Sequence, residues 1–171
     1  INSPQNVYYP VSRKTDGMDI KYLDLKKIYD LHSDTVWPAV ADTVKSGSYL
    51  FGSQVRAFEK EYAEYIGTDT AIGVANGLDA LRLILRGYIE TGAIKTGTEV
   101  IVPANTFIAS VLAISDCGLT PVLVDPDPGT YNINAAGIER AITAKTSAVM
   151  IVHLYGRCAY TDSIADICHR H

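Results

Sequence analysis

The chain has no apolar run approaching the roughly 20 residues needed to cross a bilayer. Its first residues, among them Asn2, Gln5, Asn6, Arg13 and Lys14, lack the apolar stretch of a secretion signal, so neither membrane nor export is expected. Cysteine is scarce: Cys117, Cys158 and Cys168 are odd in number and show no C-x-x-C spacing. A disulfide framework is therefore not expected. Each thiol has apolar sequence neighbours, which reads as buried structural cysteine in a reducing compartment, the cytoplasm. Positive charge is also short, with 15 Lys and Arg against 19 Asp and Glu and a net charge of −4. No basic stripe is available to neutralise phosphates, which argues against nucleic acid as a main partner. Nucleotide triphosphatases and α/β-hydrolases are disfavoured by the absence of G-x-x-x-x-G-K-[ST] and G-x-S-x-G. His169-x-His171 alone is too weak a pattern to read as a metal site, and His153, within an apolar run, reads as a hydrogen-bonded core histidine.

What is present is a soluble globular composition, 47% hydrophobic over 171 residues, enough for one sizeable core. Residues 71–85 carry the most information. The apolar run 71–75 reads as a buried strand, closed by the turn pair Asn76-Gly77. Leu78, Leu81, Leu85 and Tyr88 then fall on one face at helical spacing. Asn76 can cap that helix, and Asp79 suits its positive end. A tight glycine turn into a helix N-terminus presents free backbone N–H groups, the makings of a phosphate seat.

Elsewhere helices are expected over 32–45, over 53–66 with Ser53 as cap and Phe58, Tyr62 and Tyr65 as anchors, over 106–116, over 134–143 behind Asn134, and from Thr161 to the end. Strands are expected over 99–103, 121–125 and 147–155. Continuously apolar strands alternating with helices indicate a parallel sheet covered on both faces, with ligands beyond the carboxyl ends of the strands. Residues 1–17, with Pro4, Pro10 and Gly17 and no periodicity, read as a disordered or non-native extension. Met18 reads as a natural start of the folded region 18–171.

Eight segments in order bear a further resemblance: Tyr22-Leu-Asp-Leu25; Gly47-Ser-Tyr-Leu-Phe-Gly52 leading to Phe58-Glu59; Val74-Ala-Asn-Gly-Leu-Asp-Ala-Leu81; Glu99-Val-Ile-Val-Pro103; Asn105-Thr-Phe-Ile-Ala-Ser110; Gly118-x-x-Pro-Val-x-Val-Asp125; Asn132-Ile-Asn134; and Val152-His-Leu-Tyr-Gly156. Together they resemble the DegT/StrS family of nucleotide-sugar aminotransferases that depend on pyridoxal 5'-phosphate.

The resemblance implies the large domain of a fold-type-I transferase, incomplete in this chain. It implies that the Gly77 and Leu78 amides hold the cofactor phosphate and that Phe107 stacks on the pyridine ring. It assigns no catalytic residue here: the Schiff-base lysine follows a Ser-Phe-x-x-Lys pattern and the ring carboxylate an Asp-x-Ala-Gln pattern, and neither pattern occurs. Both are expected downstream of His171, so the chain reads as the front part of a longer enzyme. The implied reaction moves an amino group, from glutamate, onto a nucleotide-linked keto-sugar, with dTDP-3-oxo-6-deoxyhexose the best match and a homodimer as the working form. The alternatives are a sugar dehydratase on the same scaffold, or a non-catalytic remnant or interaction protein.

Overall fold

The computed structural model describes residues 21–171 and, in addition, the backbone of residues 14–15 and 18–19. The extension expected over residues 1–17 thus falls largely outside the described residues. Two short strands, β1 (Lys14–Thr15) and β2 (Met18–Asp19), pair antiparallel there. The chain forms two compact units, one ending at Ile72 and one spanning Gly73–His171.

The first unit contributes two helices, α1 (Leu25–Ser46) and α2 (Ser53–Ile66). Asp24 caps α1 by accepting the Lys27 N–H at 3.2 Å, which starts the helix at Leu25 rather than at residue 32. The same backbone bond holds the Asp24 carboxyl below its ordinary pKa. Ser53, expected to cap α2, lies in its first turn instead, and Gly52 is the cap without a side-chain bond. A Cβ on Gly52 would stand 2.7 Å from the Ser48 carbonyl oxygen, so no side chain fits there. Phe58 and Tyr62 stack on one another at 5.5 Å between ring centroids. Together with Tyr65 they are exposed and do not anchor α2 in a core.

The second unit holds α3 (Gly77–Glu90), β3 (Glu99–Pro103), α4 (Ile108–Asp116), β4 (Thr120–Val124), α5 (Ala135–Ala141), β5 (Thr146–Val149) and α6 (Asp162–Arg170). Its three strands form a parallel sheet in the order β4-β3-β5. On the central strand Val100, Ile101 and Val102 are all 0% exposed. Alternate side chains of a strand face opposite ways, and here they enter two separate cores. Val100 and Val102 pack with Leu85 of α3 and with Ala113 and Ile114 of α4. Ile101 packs with Val124, Ile138 of α5, and Ile164 and Ile167 of α6. The sheet is therefore covered on both faces, as the apolar runs predict. Burying each of these β3 side chains is worth about 1.5–3 kcal/mol.

Several expectations are corrected. Residues 71–75 form no strand and are not part of the sheet β4-β3-β5, because an apolar run becomes a strand only where a neighbouring strand is in place to pair with it. β5 stops at Val149 instead of reaching residue 155, although the Met150 N–H still donates to the Ile101 carbonyl at 2.8 Å. The chain then turns through a single 3₁₀ turn, Leu154–Gly156. His153 is exposed, its Nδ1 accepting the Ala159 N–H at 2.9 Å, so it is hydrogen-bonded but not a core residue. Of the thiols only Cys117 is buried; Cys158 and Cys168 are exposed, one in the loop before α6 and one on α6 itself.

Asn134 caps α5 through the Gly137 N–H at 2.8 Å. A Cβ on Gly137 would meet Val124 Cγ1 at 2.9 Å and the Asn134 carboxamide oxygen at 3.2 Å, so only glycine lets α5 lie this close to β4. Gly87, inside α3, faces open space. Gly137→Ala is accordingly expected to destabilise the protein by about 1–3 kcal/mol, and Gly87→Ala to stabilise it by up to about 1 kcal/mol. Urea unfolding midpoints of the two variants should move in opposite directions.

Candidate active site

The first turn of α3 is organised by Asn76. Its backbone is extended (φ −166°, ψ 173°), and its side-chain oxygen accepts the Asp79 N–H at 2.9 Å. Its main-chain carbonyl accepts the Ala80 N–H at 3.1 Å. A helix begins with four N–H groups lacking an intrahelical partner. Ala80 N–H makes the first helical bond and the cap takes Asp79 N–H, so within the helix the N–H groups of Gly77 and Leu78 have no partner among the described residues. A Cβ on Gly77 would meet nothing within 4 Å, so the approach to these amides is open. Two free donors at the positive end of a 14-residue helix fit a phosphate group.

Asp79 adds a carboxylate in the same turn. One of its oxygens accepts the Asn76 side-chain N–H at 3.0 Å and the other accepts from the Arg82 guanidinium at 3.1 Å. Arg82 reaches on to Asp116, the last residue of α4, donating through Nε at 2.8 Å and through Nη2. The bonds to Asp116, and then those to Asp79, hold the guanidinium above its ordinary pKa.

Phe107 is the cap residue of α4, with extended φ −64° and ψ 142°, and is 77% exposed. It does not pack into the core, so its ring is available to a ligand. The turn that carries it is fixed on both sides. Thr106 N–H donates to the Pro103 carbonyl at 3.3 Å, the Ser110 N–H donates to the Phe107 carbonyl at 3.0 Å, and the Thr106 and Ser110 hydroxyls lie 2.8 Å apart. Next to it, Asn105 donates to the Tyr131 carbonyl at 2.9 Å and so joins the loop after β3 to the loop after β4. Tyr131 and Tyr155, in the loops after β4 and β5, both adopt left-handed backbone (φ 59° and 52°) and are exposed. In a sheet ordered β4-β3-β5 the chain leaves β3 toward one side and returns to the other, so the carboxyl ends of β3 and β5 flank a topological switch point, the usual place for a ligand in open α/β sheets.

The sequence-derived site residues thus sit at the first turns of two helices, α3 and α4, that cover the same face of the sheet. A cavity of about 570 Å³ lined by Thr146, Val149, Ile167 and His171 includes none of them. Sequence reasoning missed the Arg82–Asp116 pair. Asp79 and Arg82 at i,i+3 could have been noticed, but Asp116 is remote in sequence and carries no local signal. Asn132 was also missed as a brace. It is buried, and its amide donates to the Arg157 and Cys158 carbonyls at 3.2 and 3.3 Å.

Residues 32–171 match the model of the DegT/DnrJ/EryC1/StrS aminotransferase family. The chain is 50% identical over 145 residues to the dTDP-3-amino-3,6-dideoxy-alpha-D-galactopyranose transaminase of Aneurinibacillus thermoaerophilus, covering 85% of this chain and 39% of that protein. Among solved structures, Streptomyces venezuelae DesV in complex with a ketimine intermediate is similar with a TM-score of 0.81 and 43% identity, over 89% of this chain and 40% of the other. Bacillus subtilis NtdA with bound cofactor PMP is similar with a TM-score of 0.73 and 30% identity, over 86% of this chain and 32% of the other. The chain therefore spans about two fifths of the length of the curated relatives it matches.

Removing the α3 cap is expected to be costly by itself. Asn76→Ala should lower stability by about 1 kcal/mol, the usual worth of an N-cap side chain, read as a drop in the urea midpoint. Asn76→Asp, which keeps an accepting oxygen but places a second carboxylate beside Asp79, should recover only part of that loss.

Proposed function

The chain belongs to the DegT/DnrJ/EryC1/StrS aminotransferase family, and we propose that it supplies the phosphate seat and the ring platform of a nucleotide-sugar aminotransferase dependent on pyridoxal 5'-phosphate. The observation that carries this reading is the pair of free amides at Gly77 and Leu78. The Asn76 side chain takes the Asp79 N–H and the helix takes that of Ala80, which leaves open within the helix the two N–H groups that the family resemblance assigns to the phosphate.

In this reading Gly77 and Leu78 donate their N–H groups to the phosphate, and the missing Cβ at Gly77 lets the phosphate approach the backbone. Phe107 covers one face of the pyridine ring with an aromatic surface that water would otherwise wet. Pyridoxal phosphate, when bound, supplies the carbonyl that exchanges for an amine and the ring that accepts electron density. No residue of these 171 takes the family's lysine or ring-carboxylate position, and the chain's own part is binding and orientation.

The amino group is taken from glutamate and delivered to a nucleotide-linked keto-sugar, a dTDP-3-oxo-6-deoxyhexose. The naming of the Aneurinibacillus relative as a dTDP-3-amino-3,6-dideoxyhexose transaminase supports that choice at 50% identity. The working form is a homodimer in the cytoplasm, where the exposed thiols Cys158 and Cys168 stay reduced.

Titration of the purified apo-protein with pyridoxal phosphate tests the site. Gly77→Val should weaken binding by about tenfold or more, a loss of about 1.4 kcal/mol. Phe107→Ala should weaken it about two- to tenfold, the range of one aromatic contact. Unfolding midpoints should change little, because neither side chain position meets the core. Parent-like binding by both variants would show that the cofactor sits elsewhere. Glutamate-dependent amination of a dTDP-3-oxo-6-deoxyhexose, followed by mass spectrometry, tests the reaction, and deoxygenation without amination would point to a dehydratase instead.

A further inference from the structure

The first turn of α3 contains a conflict. Asp79 is useful there, since its oxygen orients the Asn76 amide, which in turn spends the Asp79 N–H and leaves two donors free. Yet Asp79 also places a negative charge at the positive end of the helix, where a bound phosphate would compete for the same potential. The carboxylate and the seat lie within one turn of helix, about 5.4 Å of rise, well inside the screening length of ordinary buffers.

Resting on the reading of Gly77 and Leu78 as a phosphate seat, we propose that Arg82 is a positioning residue for that seat, holding Asp79 against Asn76 while cancelling its charge toward the phosphate. The geometry supports both halves. Both Asp79 oxygens are engaged, one by Asn76 and one by Arg82. Arg82 cannot swing away freely, because its other edge is fixed to Asp116 at the end of α4. Asp116 is itself poorly placed, an acid at the negative end of a helix, and Arg82 offsets that as well. With Arg82 present, the group of two carboxylates and one guanidinium carries a single net negative charge. Without Arg82 it carries two, and Asp79 loses the contact that fixes its rotamer.

The arrangement also ties the two ligand-facing turns together. Arg82 belongs to the helix that opens with Gly77 and Leu78, and Asp116 closes the helix that opens after Phe107. A single guanidinium therefore sets both the charge at the seat and the placement of one helix against the other.

The test compares pyridoxal phosphate with pyridoxal, which lacks the phosphate, as probes of the apo-protein. Arg82→Met should weaken pyridoxal phosphate about tenfold at low ionic strength while changing pyridoxal less than about twofold, and the difference should shrink as salt is raised. Asp79→Asn in the Arg82→Met background should bring pyridoxal phosphate back to within about twofold of the parent, since the unbalanced carboxylate is then gone. Equal weakening of both probes, or failure of Asp79→Asn to rescue, would reduce Arg82 to a structural ion pair and overturn the proposal. Unchanged pyridoxal phosphate affinity in Arg82→Met, with Gly77→Val still weakened, would overturn it while leaving the seat intact. Parent-like binding by Gly77→Val would remove the seat and the proposal together.

Discussion

Strand β3 is apolar on both faces because it is buried on both, and the position of everything that could touch a ligand in the second unit follows from that. Val100 and Val102 fix the core shared with α3 and α4, and Ile101 fixes the one shared with α5 and α6. A one-residue slip in register would exchange the two sets, sending two valines into a space shaped for one isoleucine. The strand ends at Pro103, which has no N–H to extend the ladder, and the last bond to the neighbouring strand is made by the Ala104 N–H to the Val124 carbonyl at 2.8 Å. From that fixed end the chain needs only a few residues to reach Phe107. An exposed aromatic ring thus borrows its placement from a strand whose own apolar side chains are buried.

Elements with a local cause were legible in the sequence. Asn76, Asn134 and Thr161 were each expected at the start of a helix, and each accepts an N–H from the following turn. Such bonds need only neighbours a few residues away. What failed depended on partners remote in sequence. The run 71–75 is as apolar as β3, but hydrophobicity states only that a segment seeks burial, not that a neighbouring strand is there to pair with it. The same holds for Cys158 and Cys168, whose apolar sequence neighbours, Ala159 and Ile167, are buried while the thiols themselves are exposed. Burial on a helix or in a loop is decided by direction, which composition does not carry.

The candidate site divides in the same way between local and remote causes. The Asn76 cap at the start of α3 was legible because such a bond is made within one turn. The exposure of Phe107 was not, since a phenylalanine flanked by Ile108 and Val111 reads equally well as core. The link from Arg82 to Asp116 joins a residue in the middle of one helix to the end of another, and only the packed sheet brings them within reach. Charge in this turn is a tertiary property, whereas donor supply is a local one.

Cys117 has a consequence of a different kind. It is 2% exposed, and its thiol lies 3.6 Å from the Arg82 carbonyl within the contact between α3 and α4, whereas Cys158 and Cys168 face water. A thiol reagent in solution meets two nucleophiles at once and the third only when those helices separate. The molecule therefore carries its own clock. The delay between the second and third alkylation measures how often the helix pair opens, and a ligand that binds only the closed pair lengthens that delay in proportion to its occupancy.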